Sequence, residues 1–275
     1  MPVVPGEQGR GAPCLDASRS VSGSGYGAQM AVVRAAAVQD CPVLLDRART
    51  LDLVDRLTDQ AAKQGAQLVV FPEAFVPGPP VWIDALPVGG DADWHSLLMR
   101  ESVTVPGPAC DRLAAAADRA GVVLVIGVNE REDHGGTIYN SVLTFGSDGS
   151  LLGRHRKLIP THGERLVWGM GDGSDLKVLD TVAGRLAGLI CWENFMPLAR
   201  FHLYAQGPEV WVAPTLATAS SGAGGRPRSS LLPSYGSGAL ARPLLVVRSG
   251  SLERHESAIA SYRIDSEAER RVLAV

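Results

Sequence analysis

Along 46–64 (DRARTLDLVDRLTDQAAKQ) apolar residues recur at helical spacing and Gly65 follows as a stop, which predicts an amphipathic helix. Short apolar runs alternate with such segments. The run 31–39 (AVVRAAAVQ) reads as a strand, as does 67–71 (QLVVF), which Pro72 closes. An Ala-rich helix over 111–120 ends at Gly121, and 122–128 is the next strand. The strand 139–145 (YNSVLTF) runs into Ser-Asp-Gly, a turn that begins a hairpin. Residues 185–190 (RLAGLI) form a strand leading to Cys191, 197–206 a helix behind it, and 210–212 a further strand. Buried strands mixed with helices predict an α/β fold with a largely buried sheet. The pattern alone leaves open a doubly wound sheet or a helix-flanked sandwich. Residues 1–29 have no apolar period and are rich in Gly, Ser and Pro, so they read as a disordered extension, with Met30 as the true start.

Composition narrows the class. The 275 residues, 45% of them apolar, suffice for one sizeable core in a single domain. A net charge of -3 gives no reason to expect nucleic acid or another polyanion as partner. The longest apolar run, 120–128, falls far short of the ~20 residues a membrane helix needs, and no secretory signal opens the chain, so a cytoplasmic protein without a membrane partner is expected. Cys14, Cys41, Cys110 and Cys191 lack C-x-x-C spacing, which argues against a zinc knuckle or a dithiol site.

Three residues could carry chemistry. Cys191 stands where a strand meets a turn (CWEN) ahead of a helix, so its side chain projects from a sheet edge toward turn N–H groups. A thiol there needs a base or cation to ionise, and a buried structural cysteine is the even alternative. The other three cysteines lack this setting and read as inert. Glu73, in VVFPEAF, follows a strand at the carboxyl end where α/β sheets place ligands; the alternative is a solvated loop glutamate. Lys157, in GRHRKLIPT, offers a fixed ammonium, or else a surface charge among Arg154, His155 and Arg156. His155 and His162, seven apart, make no metal site by spacing. Met170 to Gly173 reads as a tight loop, and Trp82 and Trp94 either cover a pocket or pack in the core.

Three blocks tie these residues together: FPEAF around Glu73, GRHRKLIPTHGERLVWGMGDGS around Lys157, and GRLAGLICWENFMPLARFHLYAQG around Cys191. In these blocks and their spacing the chain resembles the nitrilase branch of the carbon–nitrogen hydrolase superfamily, over about 31–215. The resemblance implies an αββα sandwich of four-layer type that associates as a homo-oligomer. It implies Cys191 as nucleophile, Glu73 as general base, Lys157 as cationic stabiliser and Glu164 as a second glutamate positioning them. Trp192 would supply a backbone N–H and, with His162, contact substrate. The implied reaction converts an organic nitrile to a carboxylic acid and ammonia with no metal or organic cofactor; a cyanide hydratase or an aliphatic amidase of the same superfamily is the alternative.

Past Thr215 the resemblance stops. Residues 216–240 (LATASSGAGGRPRSSLLPSYGSGAL) have no helical period, and no acidic residue occurs between Glu209 and Glu253. A GC-rich reading frame displaced by one base gives such a composition. The expectation is therefore a 30–215 hydrolase domain followed by an anomalous 216–275 segment, frameshifted near 216, with a sandwich incomplete at its C-terminus and an inactive product as one outcome. A genuine divergent tail is the other reading of that segment.

Overall fold

A computed structural model describes residues 33–84, 86–87 and 89–216, together with the backbone of 244–248 and 259–264. The 1–29 extension and most of 216–275 lie outside the described residues.

Strand β1 (Val33–Val38) leads into helix α1 (Arg47–Lys63) and then β2 (Leu68–Val70), which runs parallel to β1. The Asp46 carboxylate caps α1 by accepting from Arg49 N at 2.9 Å, and the helix buries Leu51, Val54, Leu57 and Ala61, one face at three- and four-residue steps. Helices α2 (Ala92–Glu101) and α3 (Pro108–Ala120) precede β3 (Val123–Arg131), which lies parallel to β2. The helix expected from 111 begins three residues earlier, because Pro108 suits a first turn whose N–H groups lack helical partners. Strand β4 (Ile138–Phe145) turns at Asp148 into β5 (Leu151–Arg156), the expected hairpin. Then come β6 (Leu179–Thr181), β7 (Gly184–Gly188), α4 (Pro197–Ala205) and β8 (Val210–Thr215). Beyond 216 the backbone of β9 (Leu244–Arg248) adds to β8, and that of β10 (Ile259–Ile264) pairs with β1.

Two sheets result, in the orders β10-β1-β2-β3-β4-β5 and β6-β7-β8-β9. Strand alternation sorts the side chains. Ala35, Ala37, Leu68, Val70, Val123 and Val125 of the larger sheet meet Leu186, Val210 and Val212 of the smaller one. On the outer face of the larger sheet, Ala36, Val69, Leu124 and Ile126 pack on Leu51, Leu57 and Leu113 of α1 and α3. On the outer face of the smaller, Ala187 and Trp211 pack on Ala199 and Leu203 of α4. The order helix, sheet, sheet, helix makes an αββα sandwich and settles the choice left open by the hydrophobic pattern.

Candidate active site

The site forms at the carboxyl ends of strands from both sheets: Glu73 follows β2, Lys157 follows β5, Cys191 follows β7 and Leu216 follows β8. The chain after β2 lifts off its neighbour and rejoins it. Phe71 N donates to Val125 O (2.8 Å), Pro72 O accepts from Gly127 N (3.2 Å) and Val76 N donates to Gly127 O (3.1 Å), so 73–75 bulges between these bonds. Ala74 takes a left-handed φ of +49° at the apex, which aims the preceding glutamate inward. Gly127 allows this close crossing, since a Cβ there would stand 2.4 Å from Pro72 O and 2.7 Å from the Glu73 Cα.

Glu73 is fully buried, as is Lys157, and the ammonium donates to Glu73 Oε1 at 2.7 Å. A second carboxylate, Glu164, accepts from the same Nζ at 2.8 Å and from Thr161 N at 2.7 Å, which fixes it at the start of the short 3-10 turn His162–Leu166. Glu73 is held by two further donors: Asn140 Nδ2 on β4 reaches Oε1 and Leu216 N reaches Oε2, both at 2.8 Å. The Cys191 thiol lies within electrostatic reach of both the Glu73 carboxylate and the Lys157 ammonium. Thus the structure brings Glu73, Lys157, Glu164 and Cys191 together. His162 and Trp192 are both exposed: His162 lies on the turn that carries Glu164, and Trp192, next to Cys191 in the chain, packs at a tilt on Phe195 with ring centroids 4.8 Å apart. Trp82 is buried and stacks on the exposed Trp94 at 5.9 Å, so core packing describes the first and surface cover the second.

The electrostatics follow from two carboxylates sharing one cation. Burial works against the Lys157 charge, but Glu73 and Glu164 outweigh it and hold the ammonium above the ordinary lysine range. Burial also raises the Glu164 carboxyl, against the pull of Lys157. The Cys191 thiol is pushed well above the usual cysteine range, first by burial and then by Glu73, with Lys157 opposing. The resting sulfur therefore keeps its proton, and Glu73, the carboxylate that acts on it most strongly, is the group placed to take that proton during attack.

The turn carrying the thiol is built by its own sequence. Cys191 adopts φ +49° at the head of the 3-10 turn Cys191–Phe195. Asn194 fastens it from inside, donating to Leu189 O (2.9 Å) and Cys191 O (3.0 Å) while accepting from Trp211 Nε1 (2.9 Å). Glu193 accepts from Ile190 N at 2.7 Å. Sequence reasoning assigned nothing to Glu193, Asn194, Asn140 or Leu216. Only the CWEN string, with a carboxylate and an amide on a turn beside the thiol, hinted at the first two.

Residues 34–258 match the carbon–nitrogen hydrolase family model, and the chain belongs to that family. The match ends inside the segment that the sequence pattern marked as anomalous. Among curated relatives, the chain is 46% identical over 224 residues to a bifunctional nitrilase/nitrile hydratase of Oryza sativa subsp. japonica, covering 78% of this chain and 61% of that protein. It is 43% identical to nitrilase 2 of Arabidopsis thaliana, covering 68% of this chain and 56% of that one. Within the family the resemblance is to the nitrilase branch. The chain spans between about half and three-fifths of the length of the first curated relatives it matches. An amidase from Nesterenkonia sp. shares the fold at TM-score 0.57 and 21% identity, covering 79% of this chain and 76% of that one. Among the described residues no helix is long and apolar enough to cross a membrane.

Proposed function

We propose that this chain hydrolyses an organic nitrile to a carboxylic acid and ammonia, with Cys191 as thiol nucleophile. The observation that carries this reading is the Lys157 ammonium clamped between Glu73 and Glu164, with the Cys191 thiol within electrostatic reach of all three. A nitrile carbon is weakly polarised, so a soft sulfur nucleophile suits it. Glu73 takes the thiol proton as sulfur bonds to the nitrile carbon, and the nitrogen is protonated to give a thioimidate. Water, losing a proton to Glu73, adds to that carbon. The C–N bond breaks and ammonia leaves, giving a thioester. A second water cleaves the C–S bond, releasing the acid and restoring the thiol. Lys157 balances the negative charge that builds at each addition, while Glu164 holds Lys157 in place. Trp192 contributes its backbone N–H beside the sulfur, and Trp192 and His162 border the path to it.

A second reading concerns the fate of the tetrahedral intermediate. If its C–S bond breaks before its C–N bond, an amide leaves instead. The double activity named for the rice relative favours this as a parallel outcome, and cyanide hydratase or aliphatic amidase chemistry belongs to the same branch point. A reactive thiol persists in a reducing compartment, which fits a cytoplasmic site of action.

The test is product analysis on a nitrile panel. The chain should release ammonia and acid, with any amide as a minor product, and Cys191→Ala should release none. Near-native turnover by that variant on any nitrile would falsify the mechanism. Amide as the main product would select the second reading, and no turnover by the natural chain would favour a product of a displaced frame.

A further inference from the structure

The reaction above makes no use of Glu193, although its side chain is fully buried at the edge of the site. One oxygen, Oε1, accepts from Leu158 N at 2.6 Å and the other, Oε2, from Ile190 N at 2.7 Å. His155 Nε2 lies 3.2 and 3.0 Å from the two oxygens. Leu158 is the residue after Lys157, and Ile190 is the residue before Cys191. One carboxylate therefore joins the peptide units adjoining the ammonium and the sulfur.

This junction matters because of the topology. Lys157 extends from β5 of the larger sheet and Cys191 from β7 of the smaller, and no ladder of backbone bonds connects those two strands. Side-chain packing holds the two sheets together but makes no bond of fixed length between these two strand ends. A bond from each strand end to one rigid, planar group supplies such a link. We infer that Glu193 is a positioning residue that sets the distance between the Lys157 ammonium and the Cys191 sulfur across the two sheets. The inference rests on the reading that these two groups work together. The arrangement requires a carboxylate, because each oxygen faces an N–H donor, and a glutamine would set its own NH2 against one of them.

The experiment compares Glu193→Gln and Glu193→Asp with the natural chain. Glu130→Gln serves as a control, since Glu130 is also buried but pairs with Arg154 and Arg156 away from the thiol turn. For the folded fraction of each, kcat per reactive thiol, KM and the rate of Cys191 alkylation by iodoacetamide, mapped by peptide mass, are measured. A misplacement on the order of 1 Å costs up to about a hundredfold in rate. Glu193→Gln should thus lose roughly ten- to a hundredfold in kcat per thiol with KM within about twofold. Cys191 alkylation in that variant should slow by about threefold or more as the cation moves off the sulfur. Glu193→Asp, which keeps both oxygens but is one methylene short, should fall between. Glu130→Gln should lower Tm and leave kcat per thiol unchanged. Should Glu193→Gln not fold, Glu193→Asp decides. Natural kcat per thiol and natural alkylation rate in a folded Glu193 variant would overturn the inference, as would an equal loss in Glu130→Gln. A natural chain without turnover would count against the functional reading alone, because the alkylation comparison still judges Glu193.

Discussion

At the scale of single residues, the site depends on a sulfur kept neutral until it is needed. Two carboxylates and one ammonium already leave an excess of negative charge beside Cys191, and an ionised sulfur would add to it. That arrangement has a consequence for stability. The folded thiol titrates above its ordinary value of 9.0. Below that value both folded and unfolded thiols are protonated, and the contribution to stability is intact. Above it the unfolded chain releases a proton that the native state retains, so stability falls as pH rises toward the folded pKa. The urea midpoint of the natural chain should therefore drop more between about pH 7 and about pH 10 than that of Cys191→Ala. Equal drops would show that the thiol is not raised. Glu164→Gln should lower kcat by roughly ten- to a hundredfold, because Lys157 loses one of two charged anchors while the thiol and Glu73 remain. Steady-state ammonia release measures it, and an unchanged kcat would remove Glu164 from the site's machinery.

At the scale of elements, the bulge after β2 places the base, and it exists because Gly127 has no side chain. In Gly127→Ala the new Cβ would meet Pro72 O at 2.4 Å and Ala74 N at 2.5 Å, both backbone atoms that cannot swing away. We expect kcat to fall by about tenfold or more as the 72–75 segment shifts, with a lower Tm alongside. A variant with natural kcat would mean that Glu73 tolerates displacement. The same elements show what could be read from sequence. Helix α1 and strands β1 to β4 were legible because their apolar periods are local. Strand β5 (LLGRHR) was legible only through the Ser-Asp-Gly turn that implies a returning strand, because it is an edge strand with exposed or half-exposed side chains and no alternation. Helix α2 buries only Leu98, so its pattern carries no face. Glu73, Lys157, Glu164 and Cys191 were legible through their sequence blocks. Asn140 and Leu216 were not, since each acts through a contact 67 or 143 residues away, and Leu216 contributes only its main chain, which any residue but proline supplies.

At the scale of the whole molecule, α4 presents Leu198 and Phe201 to solvent, 82% and 72% exposed and three residues apart on one helix face. Trp192 and Phe195 add exposed apolar surface in the adjoining turn. Contiguous exposed apolar surface marks an interface, and we propose that homo-oligomers form through this face. Leu198→Glu with Phe201→Glu should lower the molar mass measured by light scattering; an unchanged mass would place the interface elsewhere. The reading of 216–275 as a displaced frame is tested by the coding DNA, where one of the other two frames should encode a helix of the form R-H-x-A-x-E-G-R in place of the Ser/Gly-rich stretch. The question reaches the site itself, because Leu216 N holds Glu73.

The central claim is that Cys191 bonds covalently to the substrate carbon with Glu73 and Lys157 in attendance. Mass spectrometry of the chain quenched during turnover of a slow nitrile tests it most directly. The account predicts a thioimidate or acyl adduct on the Cys191 peptide, absent from those of Cys41 and Cys110. An active chain whose steady state carries no adduct on that sulfur, and whose Cys191→Ala variant still releases ammonia, would contradict it.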